Sequence, residues 1–394
     1  MTDGHPRAIE QDSVRAWVAT AAVALANGVA FGTAYTFGAF FDSMAKEFGA
    51  ARGSTAIIFG LTLLFFFGFG FFSGPLADRF GAHRMLAFGG ALFVGGLLVT
   101  SRVHHLVLGY ITYGVAVGLG SGCFIAPLTT VVGRLFVKRR ALALGVTATG
   151  NGLGTLLLVP LAASLIEHHG WRTAYVVLAL IGAVVFGLAI PVIRGPLPEP
   201  VPGSVRESLR QLRDNYFGSL FLSTLLMSIG LYVAFAFIVP FAKDEGIASN
   251  KAARLVSLIG LASIVGRLAL TSLTARVGAI RVFQGALIIQ PIAYVIWLIA
   301  GGRYALLVVF ALLLGVSYGG FVAISPEMLI RRFGVADLGR RMGTLFLSYG
   351  LGGMIGPPAA GYIADATDGR TVPIVAVIAI LVLSLLTSTR LTTA

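Results

Sequence analysis

The sequence predicts an all-α polytopic membrane protein, with twelve transmembrane helices arranged as two pseudo-symmetric six-helix bundles. Three observations carry this expectation. First, 57% of the 394 residues are hydrophobic and only 11% are charged, where an average soluble domain carries about 25% charged residues. Second, apolar stretches of about 20 residues, enough to cross a bilayer, follow one another with short polar breaks along nearly the whole chain. Third, motifs of the first half recur in the second. A soluble fold of this size needs far more polar surface. The net charge of +13 does not indicate nucleic-acid binding, because the basic residues form no single patch on a polar domain. Disorder is excluded by the hydrophobicity. A disulfide scaffold is excluded by a lone cysteine, Cys123, in an apolar stretch.

The elements follow in order. Residues 1–16 form a polar tail without the apolar core of a cleavable signal peptide, so the first span is expected to direct insertion. Six spans read as 17–41, 55–77, 84–101, 106–132, 141–166 and 172–193. They make up an N-terminal bundle over 17–193. The longest polar break, 194–216, begins proline-rich (Pro196, Pro198, Pro200, Pro202). It continues as SVRESLRQLRDN, where Ser204 and Glu207 form a capping box, so a short surface helix is predicted. A second bundle over 217–394 holds spans 217–242, 254–275, 281–300, 304–330, 341–364 and 371–390. Placing both termini inside assigns nineteen basic residues to the cytoplasmic side and nine to the other, as the positive-inside rule requires. One basic residue belongs to neither side: Arg267.

The halves repeat at an interval near 200 residues. GCFIAP at Gly122–Pro127 recurs loosely as GGFVAISP at Gly319–Pro326. Each is followed by an apolar stretch, a basic cluster (Arg134, Arg332) and a glycine-rich span. The loop after span 2 reads GPLADRFGAHR from Gly74 to Arg84. Its counterpart after span 8 keeps Arg276, Gly278 and Arg281 but has Ala275 where Asp78 stands. Parallel six-helix repeats are a transporter architecture, with the substrate site near midplane between the halves.

The GPLADRFGAHR run resembles the loop signature of the major facilitator superfamily, and the resemblance covers the full chain. Several segments are similar, more narrowly, to bacterial monocarboxylate transporters and oxalate:formate antiporters. These are FGAFFDSMAKEFG at Phe37–Gly49, FVKRRALALG at Phe136–Gly145 and LYVAFAFIVPFA at Leu231–Ala242. YGGFVAISPE at Tyr318–Glu327 and GPPAAGYIAD at Gly356–Asp365 complete the set. The resemblance implies a major facilitator fold and a secondary carrier of small monocarboxylates such as lactate or pyruvate. It also implies proton symport by alternating access in the cell (inner) membrane.

Arg267 is the sharpest single feature. It sits mid-span in GLASIVGRLALTSL. An arginine at bilayer centre costs about 2.5–3.5 kcal/mol on insertion scales and usually marks a substrate or ion pathway. No acidic residue lies deep in any span to pair with it, so an anionic guest suits it. A guanidinium fork matches a carboxylate. The competing reading is a structural arginine that bonds backbone carbonyls or snorkels. In the resembled family the arginine at this place binds the substrate carboxylate. Two positions depart from that family: Ser263 stands one turn away where animal relatives carry an aspartate, and Tyr35 where they carry a lysine. Span 11 lacks the second cation of an oxalate-type exchanger, so a singly charged substrate fits best. The proton would then travel with the substrate. Tyr35, Tyr232, Tyr318, Asn151, Ser348 and Tyr349 are the other mid-span polar groups expected at the cavity; helix–helix hydrogen bonding is the alternative role. Tyr318 matches an aromatic that limits substrate size in the family. Phe65, Phe66 and Phe67 read first as lipid-facing or core residues, and second as an apolar wall.

Asp78, with Gly74, Arg79 and Arg84, is expected to gate the cytoplasmic side, as this loop does across the superfamily. Arg134 and Arg341 are its expected neighbours, and Glu327 with Arg276 the latch of the other half. A solvated cluster of topogenic charges is the plainer reading. Gly118/Gly122, Gly150/Gly154 and Gly352/Gly356 are small-xxx-small packing surfaces; they open no soluble helix after a strand, so they are not phosphate loops. Pro127, Pro160, Pro240, Pro326 and Pro357 read as kinks or span ends. The histidines fall in termini or loops, and no catalytic set, metal-spaced cluster or Walker loop appears. The expectation is therefore no enzyme, no cofactor and no metal. The expected partners are a small carboxylate, protons and the lipid bilayer, with a monomer as the working unit. An organic-anion antiporter and an exporter of larger amphipathic compounds are the rival functions, and a ligand-binding sensor would need a signalling domain that the sequence does not show.

Overall fold

The computed structural model describes residues 11–194, 211–334 and 338–391, without the side chains of residues 71, 75, 78, 141, 338 and 339. The capping box at Ser204 and Glu207 lies outside these residues; the described end of that break is a short 3-10 turn, Gln211–Arg213. Everything else is helical or loop, with no strand among the described residues.

Span 1 is two helices, α1 (Val14–Tyr35) and α2 (Phe37–Phe48), joined at Thr36. The Thr36 hydroxyl donates to Thr33 O at 2.6 Å, a local bond that competes with the helical ladder. α1 starts at Ser13, whose side chain accepts from Ala16 N. Span 2 is α3 (Arg52–Phe80) and span 3 is α4 (Ala82–Thr100). Span 4 is the irregular one: α5 (Leu106–Gly109), a π-helical stretch over Tyr110–Val117, α6 (Gly118–Gly122), then a break and α7 (Ile125–Leu135). α8 (Arg140–Ile193) is a continuous 54-residue element holding spans 5 and 6. Gly170 turns the chain inside it at φ 81°, ψ 158°, a conformation that favours glycine. The second half comprises α9 (Asn215–Asp244), α10 (Ser249–Val277), α11 (Ala279–Ala300), α12 (Tyr304–Phe333), α13 (Leu338–Thr367) and α14 (Thr371–Ser388). Pro160, Pro240, Pro326 and Pro357 lie inside these helices rather than at span ends.

Ten described helical segments are long and apolar enough to cross a membrane. One of them, 142–193, contains the Gly170 turn and so makes two crossings. α13 is 30 residues long but less apolar, because it carries the polar positions expected at the cavity. Twelve crossings result. The face where α1 begins and α14 ends is called the terminal face below, and the opposite one the far face.

The repeat is visible in the backbone. Gly81 between spans 2 and 3 adopts φ 90°, ψ 140°, and Gly278 between spans 8 and 9 adopts φ 92°, ψ 144°. Each ends one helix and caps the next. The helix crossings repeat with the same interval. A Cβ on Gly118 would lie 2.7 Å from Thr62 O, and one on Gly315 2.5 Å from Ile259 O. Gly122 meets Phe66 O as Gly319 meets Ser263 O. Removal of Cβ is what lets these backbones touch, which is how membrane helices gain packing without a hydrophobic driving force.

α1 packs along the first part of α8, α3 against the span 4 elements, α10 against α12, and α9 against α13 and α14. Between the halves, α3 lies along α13, α8 along α10, and α2 against α9. At the far face these seams carry ionic and capping contacts. Lys243 pairs with Asp42 at 2.5 Å. Asp365 of α13 accepts from Arg52 N at 3.3 Å and Gly53 N at 2.9 Å, so it caps α3, whose own N-cap residue Ala51 supplies no side-chain bond. Asn250 donates to Glu167 at 3.1 Å.

Candidate functional site

α10 carries Arg267 to the seam between the halves. The residue is only 8% exposed. Its Nη1 donates to Ala148 O on α8, while Nε and Nη2 are buried without a hydrogen-bond partner among the described residues. The arginine thus uses one edge of its fork to touch the opposite half and keeps two N–H directions unsatisfied. An unpaired buried cation is expensive, so the observation points to a partner that arrives from outside the chain.

The guanidinium carbon lies 5.8 Å from the Tyr318 ring centroid, within cation–π range. Tyr318 Oη and Tyr35 Oη are 3.2 Å apart, a hydrogen bond from α12 to α1. Tyr35 stacks on Phe235 of α9 with centroids 4.0 Å apart and planes at 13°. Phe235 also meets Tyr318 edge-on at 6.2 Å. Tyr232, which occupies in α9 the repeat position of Tyr35, sits beside it; its hydroxyl makes no well-formed hydrogen bond. Tyr349 closes the ring, 5.8 Å from Phe321 and 5.7 Å from Phe67. The structure therefore brings together Arg267, Tyr318, Tyr35, Tyr232 and Tyr349.

It does not bring the small polar groups to the same point. Ser263 donates to Gly260 O within its own helix at 2.7 Å, and its carbonyl is covered by Gly319. Ser348 donates to Leu345 O at 2.6 Å, and its carbonyl accepts from Ser228. Both hydroxyls serve helices, the usual fate of serine in an apolar segment. Asn151 lies one turn from Ala148 on α8, and its Oδ1 is buried without a partner among the described residues.

Sequence reasoning missed several residues here. Phe66 and Phe67 are buried, and both pack on Phe31 of α1, at 4.8 and 6.0 Å. They belong to the wall of the site, the second of the two roles weighed for them, while Phe65 covers Gly118 and Gly122. Asn27 of α1 is 3% exposed with an unpartnered Oδ1. Its signal was present: it is the one carboxamide in an otherwise apolar helix.

At the terminal face the gating residues stand apart. The Asp78 side chain lies outside the described residues. A Cβ at Gly74 would meet nothing within 4 Å. Arg79 is exposed beside Phe80, its guanidinium carbon 5.4 Å from that ring, and Arg84 is exposed. Arg341 instead stacks on Phe333 at 3.6 Å. Arg134 O accepts from Gln11 at 3.3 Å. The Glu327–Arg276 latch is corrected: Glu327 pairs with Arg331 at 2.6 Å, one turn along its own helix, where i,i+4 spacing holds the two side chains together. Arg276 is exposed at the end of α10.

The N-terminal segment is tied down at this face. Asp12 accepts from the backbone N–H groups of Val137 and Lys138 at 3.2 Å each and of Arg139 at 3.4 Å. Burial pushes its carboxyl up, but these donors outweigh it and hold the group below the usual range.

A family model described as Major Facilitator Superfamily matches residues 23–297 and 220–393. Monocarboxylate transporter 3 of Rattus norvegicus is 32% identical over 385 residues, covering 93% of this chain and 78% of the relative. The MFS-type transporter opdF of Penicillium oxalicum is 27% identical, with 92% and 86% covered. Among solved structures, the nucleoside transporter NupG matches with TM-score 0.79 at 12% identity, over 96% of this chain and 100% of that one. A bacterial homolog of the human lysosomal transporter Spinster, inward-facing and unoccupied, matches with TM-score 0.77 at 14% identity, over 96% and 98%.

Proposed function

The chain belongs to the major facilitator superfamily, in its monocarboxylate-transporter-like branch, and from that premise we propose that it carries small monocarboxylates of the lactate or pyruvate type by alternating access. As a multi-pass membrane transporter it moves its cargo unchanged. The observation that carries the substrate reading is Arg267: a buried guanidinium with two unsatisfied N–H directions and no acid at its depth in the sequence. A carboxylate fills both needs at once, charge and bidentate geometry. The aromatic wall around it leaves room for a short apolar tail and offers no second cation for a dicarboxylate.

In this reading Arg267 holds the anion from the C-terminal bundle over 217–394, and Tyr35 completes the site from the N-terminal bundle over 17–193. The arginine already reaches across to Ala148 O; a bound carboxylate competes for that donor and couples occupancy to the seam between the halves. The terminal face is cytoplasmic, following the excess of Lys and Arg there, and the protein works as a monomer in the cell (inner) membrane. Asp78 of the span 2 loop, with Arg79 and Arg84, gates the cytoplasmic side. The mechanism is proton symport, with the proton entering together with the anion because no carboxylate stands beside Arg267.

A thermal-shift screen of the purified protein tests the substrate class. Lactate and pyruvate are expected to raise Tm, and dicarboxylates, amino acids and sugars are not. Arg267→Lys keeps the charge but loses the fork, and should weaken carboxylate binding by about tenfold or more, as for a charge-assisted hydrogen bond. A wild type stabilised by no carboxylate would sink the reading. In proteoliposomes, uptake should alkalinise the outside; electrogenic anion entry without proton flux would rule out symport.

A further inference from the structure

The side of the site that faces Arg267 holds two carboxamides, and only one of them was legible beforehand. The packing fixes where they point. With 3.6 residues per turn, Ala148, Gly152 and Thr155 of α8 share the face that meets α10: Ala148 O accepts from Arg267, and Gly152 and Thr155 abut Gly260. Gly150 and Gly154 share the face that meets α1, against Ala24 and Gly28. Asn151 falls in the sector between those two faces. The other sector holds Leu153 and Leu157, both exposed, so it is the lipid side. Asn151 therefore faces the interior.

On α1, Gly28 and Gly32 face α8. Phe31 and Tyr35 face the aromatic wall. Asn27 lies one turn below Phe31 and two below Tyr35, on that same inward stripe, next to the Gly28–Gly150 crossing. It is thus level with Ala148 and Arg267. Asn27 and Asn151 both present a buried Oδ1 with no partner among the described residues. Two orphaned acceptors and a guanidinium with two orphaned donors surround one place. Left dry, each orphan costs about 1–3 kcal/mol, so the set calls for a guest with polar atoms at both ends.

Resting on the proposal that Arg267 holds the carboxylate, we propose that Asn27, with Asn151, reads the oxygen at C2 of the bound acid. A carboxamide carries an acceptor and two donors at one position, so it meets a 2-hydroxyl or a 2-oxo group alike. An unsubstituted short acid leaves both carboxamides unpaired. The substrate is then a short 2-hydroxy or 2-oxo monocarboxylate, and discrimination comes from the penalty on the wrong guest, as in other sites built around buried polar groups. The repeat position of Asn27 in the other half is Thr224, whose hydroxyl is also buried and unpartnered, so the two halves approach the guest with related but unequal polar groups.

The test is a set of thermal-shift titrations of the full-length protein with lactate, pyruvate and propionate. Wild type should bind lactate and pyruvate about tenfold or more tighter than propionate, the value of one to two buried hydrogen bonds. Asn27→Leu should bring that ratio to within about twofold of one, and Asn27→Ser, which keeps a hydroxyl, to an intermediate value. Arg267→Lys should weaken all three acids together and leave the ratio in place. A wild-type ratio near one, or a ratio unmoved by Asn27→Leu, overturns the assignment of Asn27. Where the leucine variant does not fold, a wild-type ratio in the serine variant overturns it equally. A wild type that binds none of the three acids overturns the carboxylate reading, and this proposal with it; carboxylate binding with an unmoved ratio removes only the role of Asn27.

Discussion

Arg267, Tyr318 and Tyr35 form a chain of contacts that runs from one half of the molecule to the other. Arg267 sits over the Tyr318 ring, and the Tyr318 hydroxyl meets that of Tyr35 at 3.2 Å. Each tyrosine thus has two functions, a ring that packs and a hydroxyl that bridges. Phenylalanine separates them. Tyr318→Phe keeps the ring over the guanidinium and removes the bridge; Tyr35→Phe keeps the stack on Phe235 and removes the same bridge. Each single variant should lower stability by about 1 kcal/mol, the worth of one hydrogen bond. The double variant should lose no more than either single, because only one bond is shared. Denaturation midpoints of the four proteins check this; additive losses would mean that the hydroxyls are not partners. Arg267 was legible in the sequence because a mid-span cation is costly anywhere. Ser263 and Ser348 misled for the converse reason: a serine hydroxyl is satisfied by its own helix at no tertiary expense, and nothing in the sequence says which way it turns.

At the scale of elements, the glycine pairs decide how closely helices approach. The pairs Gly150/Gly154 and Gly118/Gly122 were readable as small-xxx-small surfaces, but their partners were not. α8 meets α1 through Gly154 on Gly28 and Gly150 on Ala24, close enough that a Cβ on either residue of α8 would run into α1 backbone. Gly154→Ala should therefore push α1 and α8 apart and destabilise by about 1–3 kcal/mol, as overpacking does. Gly187→Ala, further along the same helix where a Cβ meets nothing within 4 Å, is the matched control and should be neutral or slightly stabilising. Tm values of the two variants, with size-exclusion profiles, distinguish the cases. The Thr36 joint and the π-helical stretch at Tyr110–Val117 were not predicted, since each depends on which backbone carbonyls neighbouring side chains leave free; Tyr113, for example, donates to Thr33 O at 3.0 Å.

At the scale of the whole molecule, the far face is held shut by contacts between the halves. Asp365 caps α3 from α13, and beside it Gly361 sits against Gly53 so closely that a Cβ would lie 2.7 Å from the Gly53 backbone. Asp42 and Lys243 add an ion pair, and Asp244 bonds Arg370 and lies 3.9 Å from Arg52. Opening this face requires the Asp365 cap to break, leaving the first N–H groups of α3 unsatisfied. Asp365→Ala pre-empts that penalty and should shift the population toward a state open at the far face. Spin labels on α2 and α9 should report a longer distance in the variant, while an unchanged distance distribution would remove Asp365 from the latch.

The sequence by itself determined the class, the number of crossings, the repeat and the one cation that the bilayer would not tolerate without a reason. These follow from composition and spacing, because transfer from water to lipid is paid residue by residue. Only the tertiary structure decided which residues share a site. It set Tyr35 beside Tyr318, placed Phe67 on the wall, turned Ser263 away, gave Glu327 to Arg331 and lined up Asn27 with Asn151. Those outcomes depend on helix rotation and on backbones in contact, and helices that are apolar all round carry little periodicity from which rotation can be read.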